Sequence, residues 1–438
     1  MAKLSSWGNY PLIEAKEFYT HEFEPLSDYI QSTETFIPRG NGRSYGDSAL
    51  NGKVASMLGF NRILNFDVVR GELTAEAGVL FSDLLEVLVP KGFFLPVTPG
   101  TKFITLGGAI ASNVHGKNHH KEGAFSNFVL ELGLMTAQGQ YIICSPTNHS
   151  DIFRQTIGGM GLTGVILWVR FRLKKIQSSY IKQVNHKAKN LGELLSLFES
   201  CNSSTYSVAW IDCQKGGKDL GRSILILGEH ADLDELETTD QRNFPLKSHS
   251  NKHVSVPFHF PSGMLNRWTV SIFNHLYFHK EFQSSRSFLA HYDPFFYPLD
   301  KILHWNRIYG KKGFLQYQFV IPFEAGAEGL ELILQKISAS GFASFLAVLK
   351  TFGPSTSLES DISFPQKGYT LALDFPVSSG IFELLDELDQ LVLNFGGRVY
   401  LTKDARMSPE TFQKMYPLGF PTQPKFSSLQ SQRLKLHI

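Results

Sequence analysis

The segment "PRGNGRSYGD" (38–47) places Gly40, Gly42 and Gly46 within ten residues, directly after the apolar run "TFI". Their spacing, G-x-G-x-x-x-G, differs from both the dinucleotide fingerprint and the Walker loop. Glycines at this density allow successive backbone N–H groups to converge on an anion such as a pyrophosphate. Because a structural turn has the same composition, this segment alone leaves both interpretations open.

Two further segments of the same kind follow within the first 170 residues. "VTPGTKFITLGGAIASNVHGKNHH" (97–120) runs from Pro-Gly through Gly-Gly and small residues into a histidine cluster, and "TIGGMGLTGVI" (156–166) carries four glycines. Rows of small residues allow the backbone to approach a flat group or another backbone closely. Each segment is ambiguous alone, but three in this order form a specific pattern.

Composition sets broad limits on the class of protein. The chain has 438 residues, 42% apolar and 19% charged, with a net charge of +2, which is typical of globular domains. A prior of about 150 residues per domain predicts two or three domains. No like-charge block is present, which argues against nucleic-acid binding.

The number of cysteines and the length of the apolar runs bear on the cellular compartment of the protein. Three cysteines without C-x-x-C spacing predict neither a disulfide framework nor a cysteine zinc site. The N-terminal sequence lacks the apolar region of a signal peptide, and no apolar run is long enough for a spanning helix. We therefore expect a reduced, cytoplasmic protein, and peripheral contact with the inner membrane stays open.

Periodicity predicts an α+β fold rather than regular βαβ repetition. "SDLLEVLVPKG" (82–92) has helical spacing between a Ser-Asp start and a Gly stop, and "GVILWVRFRL" (164–173) reads as a strand. The polar stretches 229–264 and 353–368 are predicted to be long loops. Residues 244–319 carry eleven of the 36 Phe, which predicts either a bulky core or an apolar ligand site.

The segment "FLQYQFVIP" (314–322) alternates as a strand does. Gln316 and Gln318 then share one face, while Tyr317 and Phe319 point to the other. Polar residues on alternate positions indicate either the lining of a cavity or a solvated sheet face.

In combination, these motifs resemble the FAD-binding fold of the vanillyl-alcohol oxidase / p-cresol methylhydroxylase superfamily. Within it, the chain is similar to the flavin-subunit family of decaprenylphosphoryl-β-D-ribose 2′-epimerase. The similarity rests on the three glycine-rich segments and on "HWNRIYG" (304–310), "GFLQYQFVIP" (313–322) and "GGRVYLTKDAR" (396–406). It runs from "SSWGNYP" (5–11) to "QRLKL" (432–436).

The resemblance implies a two-domain α+β flavoprotein whose substrate domain is built on an antiparallel sheet. It implies that 1–179 and 398–438 form a discontinuous FAD-binding domain and that 180–397 form the substrate domain. In that family the ribose 2′-hydroxyl of a polyprenylphosphoryl sugar is oxidised to a ketone, with FAD as hydride acceptor. A separate NAD(P)H-dependent short-chain reductase then forms the arabinose epimer.

Three residues are candidates for proton transfer and for stabilising developing charge in the reaction. His115 lies in the segment expected to face the flavin, and histidine titrates near neutral pH. Lys403 could hold a developing alkoxide or a phosphate as a point charge, and Tyr45 could donate a hydrogen bond near the ring. The structural alternatives are flavin packing for His115, pairing with Asp404 or solvent for Lys403, and a wall position for Tyr45.

The remaining candidates follow from the same motifs. Predicted cofactor-binding residues are Arg39, Gly40, Asn41, Gly42, Arg43, Ser44, Tyr45, Thr98, Pro99, Gly100, Gly107, Ala111, Ser112, Asn113, His115, Gly116, Lys117, Asn118, Gly161, Gly164, Val165, Ile166 and Tyr400. Predicted substrate-binding residues are Gln316, Gln318, Asn306, Lys350, Trp210 and Lys117.

Two departures from the family pattern carry consequences. Arg43 stands where covalent superfamily members commonly carry the histidine that links FAD, so non-covalent FAD is expected. Ala372 and Thr370 stand where mycobacterial-type members have a cysteine and an asparagine near the flavin. Thiol-directed inhibitors of the family are therefore expected not to bond covalently to this chain.

Three other interpretations compete with this one. A carbohydrate or sugar-lactone oxidase of the same superfamily would pass its electrons to oxygen, and a flavin-bound subunit could serve mainly to hold its reductase. A metal site on His115, His119 and His120 would use an H-x-x-x-H spacing on a helix, but Gly116 and Asn118 disfavour that helix. We expect no metal.

Overall fold

The protein, described by a computed structural model for residues 1–249, 252–356, 358, 360–420 and 422–436, mixes helices with largely antiparallel sheets. Its strands are β1 Ala2–Ser5, β2 Leu12–Tyr19, β3 Ile37–Arg39, β4 Lys53–Ser56, β5 Ile63–Asp67, β6 Glu72–Glu76, β7 Phe93–Phe94, β8 Val129–Met135, β9 Tyr141–Cys144, β10 Val165–Arg172, β11 Lys174–Lys175, β12 Tyr180–Ala188, β13 Tyr206–Ile211, β14 Ser223–His230, β15 Val254–Ser255, β16 Ser285–His291, β17 Ile302–Leu303, β18 Phe314–Ile321, β19 Ala347–Phe352, β20 Gly368–Pro376 and β21 Arg398–Val399.

The helices lie between these strands along the chain. They are α1 Phe23–Ser32, α2 Phe81–Leu88, α3 Leu106–Ala111, α4 His119–Glu122, α5 Ser150–Thr156, α6 Leu191–Ser200, α7 Thr239–Asn243, α8 Arg267–His279, α9 Tyr292–Phe296, α10 Phe323–Ser340, α11 Ile381–Asn394, α12 Pro409–Met415 and α13 Leu429–Arg433. None of the helices in the described ranges is long and apolar enough to cross a membrane.

Three sheets organise the molecule. A small sheet has the order β1-β2-β4-β3, and a five-stranded antiparallel sheet has the order β5-β6-β10-β8-β9. The third has eight antiparallel strands in the order β16-β12-β14-β13-β19-β20-β18-β21. This arrangement confirms the predicted α+β class and the antiparallel sheet of the second half.

The predicted helix and strands are present, with one refinement. Helix α2 begins at Phe81 and ends at Leu88, and a 3₁₀ turn over Val89–Lys91 follows because Pro90 interrupts the α-helical hydrogen bonds. The chain then leaves this turn through Gly92 at φ 78°, a left-handed conformation that favours glycine.

The eight-stranded sheet separates a core from the functional site. Its inner face packs on α6, α10 and α11 through a large apolar cluster that contains Tyr317 and Phe319. Strand β18 is buried along its whole length. Its opposite face therefore lies under other protein and not under solvent, which decides the alternatives left open for Gln316 and Gln318.

The prediction of a structureless loop over 229–264 is wrong in part. Strand β14 extends to His230, and a 3₁₀ turn, α7 and β15 follow. Capping boxes at Asp232/Glu235 and Thr238/Gln241 stabilise the two short helical segments. The second predicted loop is confirmed, since no helix or strand lies in the described residues between β19 and β20.

Candidate active site

The three glycine-rich segments meet around a single cavity of about 340 Å³. They supply one part of its wall, and β18, β19 and β20 supply another. A volume of this size lies within the range of ligand and cofactor sites. The cavity thus joins residues that are more than 350 positions apart in sequence, from Trp7 to Lys403.

Most predicted cofactor-binding residues line this cavity. They are Arg39, Gly40, Asn41, Gly42, Arg43, Ser44, Tyr45, Pro99, Gly100, Gly107, Ala111, Ser112, His115, Gly161, Gly164, Ile166 and Tyr400. All three glycine-rich segments therefore supply residues to one cavity.

Six residues of the same loops point away from the cavity. Thr98 hydrogen-bonds Tyr297 at 2.7 Å, and Asn113 donates to Ser363 Oγ at 3.0 Å. A side chain's direction within a loop depends on local φ and ψ, which composition does not reveal. The other four are Gly116, Lys117, Asn118 and Val165. A Cβ on Gly116 would meet Asn118 and Thr98, and Val165 lies in a hydrophobic core. Lys117 donates to the Phe296 carbonyl, and Asn118 donates to the Pro96 carbonyl.

The first glycine-rich loop needs its glycines for close packing as well as for conformation. Gly42 has φ 62°, where glycine is strongly favoured. A Cβ on Gly46 would lie 1.6 Å from the Asp404 carbonyl oxygen, and one on Gly40 would lie 2.2 Å from Thr105 Oγ1. The Tyr45 N–H also donates to the Thr402 carbonyl at 3.0 Å. The loop is thus fixed against segments from two other parts of the chain.

Strand register arranges the polar side chains of the sheet in rows. Gln316 pairs with Asp374, Gln318 with Ala372 and Val320 with Thr370 across β18 and β20. The same rows continue to β19, where Val348 lies beside Ala372 and Lys350 beside Thr370. Because alternate residues share a face, these side chains face the cavity side of the sheet.

Lys403 lies at the centre of a buried polar group. Its Nζ lies 3.8 Å from the centroid of the Tyr45 ring, a cation–π distance. Burial lowers the pKa of Lys403, the nearby Asp374 carboxylate opposes that shift, and Lys350 adds to it. Burial in turn raises the pKa of Asp374, which accepts a hydrogen bond from Gln316 Nε2 at 2.5 Å. The alternative pairing of Lys403 with Asp404 is wrong, because Asp404 binds Arg433 at 2.9 Å.

His115 is held as a neutral ring. Gln318 Nε2 lies 2.9 Å from His115 Nε2 and donates to it, which leaves the ring proton on Nδ1. Burial, with the positive charges of Lys350 and Lys403, holds the pKa of His115 well below its usual range. Its ring contacts Phe352 and Tyr400 at centroid distances of 4.7 and 5.2 Å.

The three histidines of the segment 113–123 contact different neighbours. Within the described ranges, no group of three His, Cys, Asp or Glu side chains could hold a metal ion. His119 Nδ1 accepts from the Gly353 N–H at 3.2 Å, and His120 Nε2 contacts the Ser204 carbonyl at 2.8 Å. His119 and His120 tie the loop to its neighbours, while His115 faces the cavity.

Two predicted substrate residues lie elsewhere. Trp210 is buried against Tyr277, at 4.7 Å between centroids, on a part of the sheet outside the cavity. Asn306 donates to the Trp7 carbonyl at 2.9 Å and supports the cavity wall from behind. Gln316, Gln318 and Lys350 do line the cavity.

Sequence reasoning missed Trp7, Trp305 and Asp300, which also line the cavity. Trp7 and Trp305 belong to the quoted motifs "SSWGNYP" and "HWNRIYG". Trp7 lies in a turn and Trp305 in a 3₁₀ segment, and such short irregular segments give no sequence signal for which side faces a ligand. Asp300 Oδ2 accepts from the Lys102 N–H at 2.8 Å. Burial raises the pKa of Asp300.

The cavity fits a bound flavin nucleotide. Arg43 stacks on Trp7 at 3.9 Å, and its Nε is buried without a hydrogen-bond partner among the described residues. His115 Nδ1 is likewise buried without a hydrogen-bond partner among the described residues. Because a buried polar atom rarely stays unpaired, both donors fit a polar ligand in the space they line. The backbone of the glycine-rich loops and the apolar walls suit its phosphate and ring portions.

Comparison with known proteins agrees with this geometry. Residues 29–145 match the family model of an FAD binding domain. The chain is 39% identical to decaprenylphosphoryl-β-D-ribose oxidase of Mycolicibacterium smegmatis, over 87% of this chain and 83% of that protein. The chain belongs to the decaprenylphosphoryl-β-D-ribose oxidase family. It is accordingly an FAD-dependent oxidoreductase of the vanillyl-alcohol oxidase / p-cresol methylhydroxylase superfamily.

Two other relatives mark the breadth of the similarity. An uncharacterised protein of Streptomyces coelicolor is 30% identical over 76% of this chain and 91% of its own length. Mouse L-gulonolactone oxidase is 34% identical over only 30% of each chain. The similarity to a sugar-lactone oxidase is therefore partial.

Proposed function

We propose that this protein oxidises the ribose 2′-hydroxyl of a polyprenylphosphoryl-β-D-ribose to the ketone. The observation that carries the proposal is the placement of Lys350, Lys403, Gln316 and Gln318 around one buried cavity. This set combines two basic side chains with neutral hydrogen-bonding groups, as a phosphorylated sugar requires. A relative that is 39% identical over 87% of this chain is named as an oxidase of decaprenylphosphoryl-β-D-ribose, a substrate of this class.

The reaction divides its work between cofactor and protein. The chemistry supplied by bound FAD is acceptance of a hydride from the alcohol carbon. The chain must hold that carbon in place and remove the hydroxyl proton. Its loops 38–45, 99–115 and 160–166 would hold the cofactor, since they line the cavity.

We assign the hydroxyl proton to Lys403. Burial lowers the pKa of its amine, so a neutral amine that accepts a proton is more accessible than in water. Asp374 limits that shift and stabilises the ammonium after transfer. His115 is the weaker candidate, because its Nε2 is occupied by Gln318 and its pKa lies well below the usual range.

Tyr45 and the two glutamines would orient the sugar. Burial raises the pKa of Tyr45 well above its usual value, so its hydroxyl stays protonated and can donate a hydrogen bond. Gln316 and Gln318 are fixed by Asp374 and by Thr370, respectively. Side chains held by such partners orient a ligand with little loss of entropy.

Lys350 is suited to the substrate phosphate. Burial lowers the pKa of this lysine to about 8, and no carboxylate contributes to its shift. A buried cation without an acidic partner is costly, and an anionic ligand would offset that cost. We therefore place the phosphate nearer Lys350 and the reacting hydroxyl nearer Lys403.

Several wider statements accompany this proposal. A ketone product requires reduction to complete the epimerisation, so an NAD(P)H-dependent short-chain reductase is the expected partner. A lipid-linked substrate also implies peripheral contact with a membrane. We also propose a division into an FAD-binding domain, 1–179 with 398–438, and a substrate domain, 180–397, with cavity residues supplied by both parts.

We also propose that the FAD is held without a covalent bond. Arg43 stands in the loop position where a histidine would form the link, and a guanidinium cannot form it. Acid precipitation should release yellow flavin into the supernatant. Flavin that stays with the precipitated protein would contradict this.

The function is tested by steady-state turnover with two substrates. We expect oxidation of prenylphosphoryl ribose with an artificial electron acceptor and little peroxide from free polyols or sugar lactones. Rapid peroxide formation with a free sugar lactone, and none with prenylphosphoryl ribose, would favour the oxygen-using oxidase instead. Loss of turnover in Lys403→Met with FAD retained would exclude a purely reductase-holding role.

A further inference from the structure

Helix α8 presents an apolar stripe to solvent. Trp268, Ile272 and Leu276 recur every four residues and are 80%, 62% and 65% exposed. A surface helix normally carries polar residues on its outer side. These three residues, here called the α8 face, therefore form an unpartnered apolar surface of the kind that marks interaction sites.

Contacts on the opposite side of α8 attach the helix to the rest of the protein. Asn274 donates to Asp212 at 2.8 Å, Tyr277 packs on Trp210 and Phe273 packs on Phe345 at 4.7 Å. Val270 is fully buried. The orientation of the α8 face toward solvent is thus determined by four inward contacts.

The exposed charges in the stretch of chain that carries α8 have one sign, and two of them, Arg267 and Lys280, stand at the two ends of the helix. Between residues 260 and 312 the acidic residues are Glu281, Asp293 and Asp300, and all three are buried. The exposed charged side chains of the same stretch are all basic: Arg267, Lys280, Arg286, Lys301, Lys311 and Lys312. We call these six the cationic rim. An apolar face with a cationic rim is complementary to an anionic lipid surface.

Helix α8 packs, through its inward side, on a segment that reaches the cavity wall. Phe345, which contacts α8, precedes Leu346, a cavity-lining residue. Strand β17 lines the cavity and pairs with β15, from which the chain runs on toward α8. Exposed Phe258 and Met264 lie on that connecting segment. Phe282, 97% exposed, follows the helix.

We propose that the α8 face and the cationic rim dock this protein on an anionic lipid bilayer, so that a lipid-linked sugar enters the cavity from the membrane. Thirteen residues make α8 too short to span a bilayer, but an amphipathic helix of this kind can lie within the headgroup region. The identification of the entering ligand as a lipid-linked sugar rests on the proposed function. The docking itself rests on the surface.

Vesicle co-sedimentation tests the docking with the full-length holoenzyme. We expect binding to vesicles of phosphatidylglycerol and cardiolipin, weak binding to phosphatidylcholine vesicles, and weakening by salt. The triple variant Trp268→Ser/Ile272→Ser/Leu276→Ser should lose affinity about tenfold or more. Val69→Ser removes a side chain that is 89% exposed on the surface outside α8, and it is the matched control.

Three outcomes would overturn the proposal. The wild-type protein could stay in the supernatant with anionic vesicles, or the triple variant could bind as the wild type does. Light scattering could also show a dimer that the triple variant converts to a monomer, which would assign the α8 face to a second copy of the chain. Circular dichroism and retained flavin confirm that the triple variant is folded.

A substrate pair separates this proposal from the proposed function. With a short prenyl chain dissolved in buffer, the triple variant should turn over as the wild type does. With a long chain embedded in anionic vesicles, the variant should be slower by about tenfold. If the wild type oxidises neither substrate, the proposed function fails, while the sedimentation result still decides the docking. Equal turnover of the embedded substrate by both proteins would contradict membrane entry through the α8 face.

Discussion

Lys403 has the environment of a functional residue at the scale of single side chains. It is buried beside Tyr45, Asp374 and Lys350, and opposing influences act on its pKa. Strongly perturbed groups in a cavity are typical of catalytic sites. The same scale includes His119, whose buried ring ties the histidine loop to Gly353.

Replacing Lys403 tests the assignment of the hydroxyl proton. Lys403→Met keeps the length of the side chain and removes the amine, so kcat should fall by about 10² to 10⁴. The FAD content should stay unchanged, which absorbance measures. Lys403→Arg restores the charge but cannot accept a proton at neutral pH. Turnover in the Arg variant close to wild type would show that charge alone suffices.

His119 makes the stability of the fold dependent on pH. Burial lowers its pKa to about 3, whereas an unfolded histidine titrates near 6.5. Below pH 6.5 the unfolded state binds the additional proton, so stability is lost as pH falls. From pH 7.5 to pH 5, His119 should account for a loss of about 2 kcal/mol. Urea unfolding at both pH values measures it.

The same urea unfolding measurements on the variant His119→Gln test whether His119 causes the loss. The variant should show a smaller loss between the two pH values, whatever its stability at pH 7.5. Exposed His21→Gln controls for removal of a histidine from the surface. An equal pH dependence in His119→Gln and wild type would contradict a buried neutral His119.

Single residues were predicted well where a motif and a strand pattern agreed. The alternation of β18 placed Gln316 and Gln318 on one face, and the structure confirms a cavity there. Lys117 and Trp210 do not line the cavity, because loop conformation and strand position in the sheet decide their direction. Sequence shows the period of a strand but not its neighbours.

At the scale of elements, the loop 38–47 and the segments near the C-terminus hold each other. Gly46 packs on the Asp404 carbonyl, and Arg433 of α13 binds Asp47 at 2.8 Å and Asp404 at 2.9 Å. Both carboxylates are almost fully buried. Lys403 directly precedes Asp404, and Tyr45 lies two residues before Asp47, so the network holds the two segments that carry them.

Removing Arg433 should destabilise these elements. Arg433→Met leaves two buried carboxylates without their guanidinium, at a cost of about 3–5 kcal/mol in the free energy of unfolding. Arg154→Met breaks a half-exposed pair with Asp361 and should cost only about 0–1 kcal/mol. Chemical denaturation compares the two. Equal costs would show that the Arg433 network is not structurally important.

Helices and strands were predictable where the hydrophobic periodicity was strong or where clear start and stop residues bounded the segment. Helix α2 and strands β10 and β18 were predicted correctly for that reason. The short helical segments within 229–264 were missed, although their capping boxes are readable in sequence. The Phe-rich region was only partly core, since Phe244, Phe258 and Phe282 are exposed. Phe content records hydrophobicity, whereas tertiary contacts decide burial.

At the scale of the whole molecule, the cavity exists only because distant segments meet. One hydrophobic cluster joins Ile37 and Leu162 near the glycine-rich loops to Leu315 and Leu349 of the large sheet. That shared core holds the predicted flavin-binding loops against the sheet that carries the polar rows. The superfamily and its α+β fold followed from motif order, but the packing of loops on the sheet required the structure.

The most direct test is anaerobic mixing of the purified holoenzyme with synthetic prenylphosphoryl-β-D-ribose. We expect bleaching of the visible flavin absorbance and about one equivalent of the 2′-ketone per flavin. Lys403→Met should bleach much more slowly. A flavin that dithionite bleaches but prenylphosphoryl ribose leaves unchanged would contradict the assignment of the substrate.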